Sequence, residues 1–479
     1  MILQYFIKEK REVSVLLVHI LLGIVSLFSA YFFVFWFYFV VITNITSIIN
    51  KSTRSKAILL FTGYMLGLEI IGRMVKASPL IPYQVGNYFM LLIFCYGIIK
   101  TPSDKWGSIG KIILLLCIPG FYMIPAESYF VFFLNSFSGI VCLGLGAVYF
   151  GSQTYTADDL RSFIKVTVLP IIVIAIYISV KSPSFDDMDF ALGSNFETSG
   201  GFGSNQVSTI LGVGACLLLL AYLRKKAIFS SYKILSIALI GVFVFRGLLT
   251  FSRGGMIGAL AAVAFSYLYL NWKLKVKMRK TFFQLLLVVA GSVLIFMIAN
   301  QITGGILGNR YQGETAATLR GDRARNLSTI TSNRSKIALA EWAIFSDNVF
   351  FGIGPGAGYE AREKYVGVRI ASHTELTRLL AEQGLPGLFI GLIFIFYPLL
   401  RIKNSKSSEE TYYLIAFFSL AIITSFHSAM RTMLTPLFWA LCCARFSFPI
   451  YSQVTANAFR RTRKLIPFVP QKNVQNSLK

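Results

Sequence analysis

The chain is predicted to fold as an all-α, polytopic membrane helix bundle of about 12–14 spans, with both termini cytoplasmic and one large, mainly helical segment on the other side. Three observations predict this. Hydrophobic residues make up 55% of the chain, charged residues only 14%, and 43 of 479 positions are Phe, far from the balance of soluble proteins. Apolar runs near the length of a bilayer-crossing helix recur along the chain. Lys and Arg fall in alternate connections, as cytoplasmic loops require.

The run from Val13 to Ile49 is too long for one crossing, since a helix spans the hydrocarbon in about 20 residues, and it is divided near Phe28–Tyr31. Further runs follow at 57–75, 82–100, 111–125, 129–150, 163–180, 206–223, 232–250, 254–271, 282–300, 386–400, 411–429 and 432–449. The basic start (Lys8, Lys10, Arg11) precedes an apolar run without an evident small-residue cleavage site, so an uncleaved first helix is expected rather than a signal peptide. Pro119 and Pro170 interrupt single runs and are read as kinks.

With the N-terminus inside, the inner connections carry Lys51/Arg54/Lys56, Lys100/Lys105/Lys111, Arg161/Lys165, Arg224/Lys225/Lys226/Lys233, Lys273/Lys275/Lys277/Arg279/Lys280 and Arg401/Lys403/Lys406. Outside fall an acidic loop with Asp186, Asp187, Asp189 and Glu197, and the long polar segment Gln301–Leu385. The expected organisation is an N-terminal bundle at 1–300, an outer segment at 301–385, C-terminal spans at 386–450 and a basic cytoplasmic tail at 451–479. The net charge of +25 is thereby assigned to loops and anionic headgroups, and nucleic acid is not an expected partner. Six Cys in apolar runs, with no Cys/His spacing, predict neither disulfides nor a zinc site.

Ionisable residues inside spans call for an explanation. Glu69 and Arg73 are four apart and are expected to pair. His19 and His427, alone in apolar helices, are read as helix–helix hydrogen bonds. Arg246 and Arg253 are seven apart. On one continuous helix their guanidiniums would share a face about 10 Å apart, a fork suited to a diphosphate. Ser372-His373-Thr374-Glu375 fits a capping box, with Ser372 as N-cap and Glu375 at the third helical position. That would set His373 in the first turn, where a neutral imidazole can act as a base or hydrogen-bond donor. Glu375, Arg378 and Glu382 would form an ion-pair ladder. The run Gly352–Gly358 lacks the following Lys-Ser/Thr of a phosphate loop and is read as a tight turn that re-aims the chain.

Four ordered pieces resemble the O-antigen ligase and O-antigen polymerase superfamily of bacterial envelope glycosyltransferases. They are Gly201-Phe-Gly-Ser-Asn205-Gln206, Ser252-Arg253-Gly254-Gly255, Asn333-Arg334 with Trp342 and Gly352-Ile-Gly-Pro-Gly356, and Ser372-His373 with Glu382-Gln-Gly384-Leu-Pro-Gly387. Thr374 stands where members often have Asn. The resemblance implies glycan transfer from an undecaprenyl-diphosphate donor to a hydroxyl of lipid A core or a growing glycan, at the periplasmic face of the inner membrane. No metal, cofactor or nucleotide sugar is implied. Arg253 and Arg334 would hold the diphosphate, joined on the helical-spacing argument by Arg246, and His373 would orient or deprotonate the acceptor. Asn205, Ser252, Ser372, Glu375 and Glu382 would support them. The alternative is a transporter or flippase of envelope precursors with the outer segment as a lid; its essential charges would lie at the bilayer midplane.

Overall fold

The computed structural model describes residues 2–123 and 130–448, except 186, 187, 189, 194, 225–227, 230–232, 323, 368, 428, 429 and 431. The basic tail at 451–479, Asp186, Asp187, Asp189, Lys225 and Lys226 thus lie outside the described residues, as does the His427 side chain.

Helices dominate. The first group is α1 (Ile2–Phe6), α2 (Glu12–Phe28), α3 (Ala30–Ile49), α4 (Arg54–Met74), α5 (Val85–Ile99), α6 (Ser108–Leu116), α7 (Ile118–Tyr122) and α8 (Phe130–Phe150). Strand β1 (Thr154–Thr156) leads into α9 (Ala157–Lys181), α10 (Ser204–Leu223), α11 (Lys233–Leu249), α12 (Arg253–Lys273) and α13 (Met278–Ile302). The polar segment holds α14 (Ile306–Gln312), α15 (Ala316–Leu319), α16 (Leu327–Ile330), α17 (Arg334–Asp347), α18 (Gly358–Ala361) and α19 (Glu363–Val366). Then come α20 (Glu375–Lys403), α21 (Ser408–His427), α22 (Leu434–Leu441) and β2 (Arg445–Ser447), which pairs in parallel with β1.

Among the described residues nine helices are long and apolar enough to cross a membrane: the run from Glu9 through α2, then α3, α4, α8, α9, α10, α12, α13 and α20. Shorter apolar helices occupy Val85–Ile99, Ser108–Tyr122 and Ile234–Leu249. The protein is a polytopic membrane helix bundle. The first apolar stretch divides at Ser29, whose extended backbone separates α2 from α3 and whose Oγ accepts from the Tyr31 amide. The expected span at 432–449 is corrected. That stretch forms the eight-residue α22, buried throughout, and then β2; hydropathy alone does not separate a crossing helix from one enclosed by others.

Buried polar groups staple the bundle. His19 Nδ1 lies 2.7 Å from the Val15 carbonyl and Nε2 2.8 Å from the Tyr64 hydroxyl, which also accepts from Trp36 Nε1 at 2.9 Å. A neutral imidazole donating from Nδ1 satisfies all three groups, so His19 joins α2 to α3 and α4. Glu69 and Arg73 pair at 2.5 Å; Arg73 also donates to Gln206 Oε1, and Glu69 accepts from the Met433 amide. That ion pair ties α4 to α10 and to the turn before α22. Small residues allow close helix crossings. A Cβ at Gly255 would lie 2.6 Å from Ser208 backbone, and one at Gly258 2.2 Å from Ile423, so α12 seats directly on α10 and α21.

Candidate active site

The close seating of α12 on α10 fixes the start of α12. Ser208 Oγ donates to the Ser252 carbonyl at 2.8 Å, and Ser252 Oγ donates to Asn205 Oδ1 at 2.8 Å. Arg253 follows as the first residue of α12. The continuous helix expected from Arg246 to Arg253 is corrected: α11 ends at Leu249, and Phe251 takes a left-handed φ of 59° before α12 begins. A buried aromatic residue in that region is strained, and the break turns the two arginines apart. Arg246 instead lies over the Phe185 ring, 5.7 Å from its centroid, with Nη2 3.5 Å from the Ser179 carbonyl.

The partner that sequence spacing assigned to Arg246 is supplied by the polar segment. Arg253 Nη2 donates to the Ile330 carbonyl at 2.7 Å and to Ser332 Oγ at 3.1 Å. Arg310, on α14, donates from Nη2 to the same Ser332 Oγ at 3.4 Å and from Nε to the Phe251 carbonyl at 3.5 Å. Ser332 and Asn333 both have left-handed φ, 54° and 64°, and the turn they make delivers Arg334 as the first residue of α17. Arg334 Nη1 donates to the Phe426 carbonyl at 3.3 Å. Strained backbone on both walls of one cluster is the pattern of a site held in place by its surroundings.

Electrostatics agree with this convergence. Burial, then the fields of Arg253 and Arg310, push Arg334 down to about 10. Burial and Arg253 likewise lower Arg310. The Tyr311 hydroxyl is buried without a hydrogen bond among the described residues; burial raises it and Arg253 opposes the rise. No carboxylate forms an ion pair with Arg253 or Arg310 among the described residues. Guanidiniums gathered on carbonyl and hydroxyl oxygens suit an anion of more than one charge.

His373 stands just before α20. The capping box is corrected: α20 starts at Glu375 with Thr374 as N-cap, so His373 precedes the first turn. Ser372 Oγ accepts from the Thr374 amide at 3.1 Å, a local turn that competes with helix capping. Glu375 is drawn elsewhere, to Arg378 and to the Met430 amide at 2.8 Å. Arg378 also lies 3.6 Å from Glu382, which completes the ladder. The His373 turn rests on Glu341 of α17, whose Oε2 accepts from Thr374 Oγ1 at 3.2 Å and Thr377 Oγ1 at 2.5 Å, while Oε1 meets Arg362 at 2.7 Å. Burial raises Glu341, and Arg362 holds it down.

The two halves lie close together. The Phe426 carbonyl accepts from Arg334 and the Met430 amide donates to Glu375; four residues of chain reach at most about 14 Å. The glycine run turns back onto α20, with the Ile353 and Gly354 amides donating to the Ala381 and Glu382 carbonyls. Gly352, Gly354 and Gly356 have φ of 69°, 92° and 88°, and the Gly356 amide donates to Glu382 Oε2 at 3.0 Å. Asn205, Ser252, Arg253 and Arg334 therefore adjoin one cluster, with Ser372, His373, Glu375 and Glu382 beside it and Arg246 apart. Arg310 and Glu341 carry no sequence signal of their own: each is a single charge in a polar stretch whose partners come from distant parts of the chain.

Residues 244–392 match a family model described as O-antigen ligase. The match takes in Arg253, Arg310, Arg334 and His373. No curated protein matches the chain.

Proposed function

We propose, from the match of residues 244–392 to the O-antigen ligase family model, a membrane glycan-transfer role in polysaccharide synthesis, with the following reaction and residues. The donor is a glycan on an undecaprenyl-diphosphate carrier, and the acceptor is a hydroxyl of lipid A core or of a growing glycan. Arg253, Arg334 and Arg310 bind the diphosphate and stabilise the charge that develops on it as the anomeric C–O bond breaks. His373 takes the proton of the acceptor hydroxyl as its oxygen bonds to the anomeric carbon. The carrier diphosphate leaves with the bonding electron pair. Asn205 and Ser252 hold the start of α12; Ser372, Glu375 and Glu382 hold the His373 turn and its helix. The reaction faces the periplasm and requires neither metal nor nucleotide sugar.

One observation carries this reading: Arg253 of α12 and Arg310 of α14 share Ser332 Oγ, and their charges bear on Arg334 at the start of α17, the helix whose Glu341 holds the turn that carries His373. The test is glycan transfer by membranes holding Arg253→Ala or His373→Ala protein at normal levels. Each substitution is expected to lower transfer about 10²–10³-fold, the range for removing one preorganised stabilising group. Retained transfer would overturn the assignment, and carrier-linked substrate flux in proteoliposomes would then point to transport. In cells lacking the protein, full-length glycan left on the carrier identifies a ligase and single repeat units a polymerase.

A further inference from the structure

We infer that α17 and the loop after it form an interfacial element, lying in the plane of the membrane with an aromatic face sunk into the leaflet on the side of the polar segment. The inference stands apart from the glycan-transfer reading.

Both ends of α17 are pinned to helices of the bundle, α21 at its start and the apolar part of α20 at its far end. At its start, Arg334 donates to Phe426, near the last residue of the 20-residue α21. At its far end, the Val349 and Phe350 carbonyls accept from the Leu385 amide at 2.8 and 3.3 Å. Leu385 follows the non-helical Gly384, and the stretch Leu385–Leu400 is free of charge up to Arg401. From Leu385 to Lys403 the helix is about 28 Å long, the thickness of the hydrocarbon. Leu385 therefore marks the boundary, and α21, returning antiparallel beside α20, brings Phe426 back to the same side. A helix with both ends at one depth lies flat.

Its two faces differ. Ile337, Ala340, Glu341 and Ile344 are buried. On the other side Leu339 is 70% and Trp342 56% exposed, and beyond the helix Phe350 is 71% and Phe351 57% exposed. The hydroxyls nearby are satisfied locally: Ser346 Oγ donates to the Trp342 carbonyl, and Ser335 Oγ accepts from Thr331. Exposed Phe389, one turn along α20 from Leu385, joins this face to the lipid-facing surface below. Trp and Phe at the boundary, continuous with a membrane-facing helix, match the interfacial region of a bilayer. The placement sets the Ser332 turn and Arg334 at headgroup depth, where a lipid-borne phosphate lies.

The test places nitroxide labels on the full-length protein in lipid nanodiscs, in a Cys95→Ser background because Cys95 is the exposed cysteine. Trp342→Cys, Phe350→Cys and Phe351→Cys are compared with Lys364→Cys on the exposed α19. Labels at 342, 350 and 351 are expected to collide preferentially with oxygen, which partitions into lipid, and the label at 364 with a water-soluble nickel chelate. The ratio of the two collision rates should differ several-fold between the sets. Equal, chelate-dominated accessibility at all four positions would overturn the inference, whatever the transfer assay shows.

Discussion

Arg334 is held more weakly protonated by the folded protein than by the unfolded chain, because burial and the positive charges of Arg253 and Arg310 push it down to about 10. The depressed value belongs to a cation, so its cost to folding is fully present below pH 10, including at neutral pH, and is relieved only as pH rises toward the unfolded value. A bound polyanion removes that cost at neutral pH. Two results follow for Arg310→Gln: the ligand-free protein should melt at a higher temperature than the parent, and stabilisation by inorganic pyrophosphate should shrink. Thermal unfolding in detergent with and without pyrophosphate checks both, and a lower ligand-free midpoint would contradict the repulsion. Arg253 and Arg334 were named from the family motifs in which they lie, Arg253 also from its spacing to Arg246, an argument that the break at Phe251 removes. Arg310 was not, since what assigns it is the hydroxyl it shares with Arg253, and Ser332 lies 79 residues from Arg253 in the chain.

At the scale of elements, the site depends on how α17 meets α20. Glu341 and Arg362 form a buried pair that also holds Thr374 and Thr377. Removing one member strands the other, a loss of about 3–5 kcal/mol. Glu341→Ala should therefore lower stability by that amount and glycan transfer with it, as read by denaturant unfolding and transfer on the same preparation; unchanged stability would deny the pair its role. Gly384 supplies the second junction. Its φ of 61° and ψ of −136° lie outside helical space, and an added Cβ would sit 2.5 Å from the Val349 carbonyl. Gly384→Ala should cost at least about 1–3 kcal/mol from backbone strain alone and loosen the loop that ends α17, seen as faster proteolysis near Phe350. Sequence patterns anticipated α20 and its ion-pair ladder but not the register of its start. The Ser-x-x-Glu spacing holds, yet Ser372 closes its own turn and Glu375 finds partners in α8-facing Arg378 and in Met430. Pattern reading counts candidate partners along the chain, and here the stronger ones come from other helices.

For the whole molecule, helix lengths convert the arginine cluster into a statement about sidedness. Both α10 and α12 start beside the cluster, at Ser204 and Arg253, and run 20 and 21 residues to Leu223 and Lys273. At 1.5 Å per residue each covers about 30 Å, so Arg224, which pairs with Glu409, and the run Lys273–Lys280 lie on the far face. Arg401 and Lys403, at the other end of α20 from the His373 turn, fall there too. Basic residues thus collect on the face opposite Arg253, Arg310 and Arg334, and on the positive-inside rule we propose that this face is the cytoplasmic one. Accessibility in intact cells checks the assignment. In a Cys95→Ser background, Lys364→Cys should react with a membrane-impermeant maleimide in cells whose outer envelope admits the reagent. Lys275→Cys, in the exposed connection between α12 and α13, should react only once the inner membrane is opened. The reverse pattern would put the cluster in the cytoplasm, away from any glycan already carried across the membrane, and would remove the acceptor assigned to His373 along with the topology.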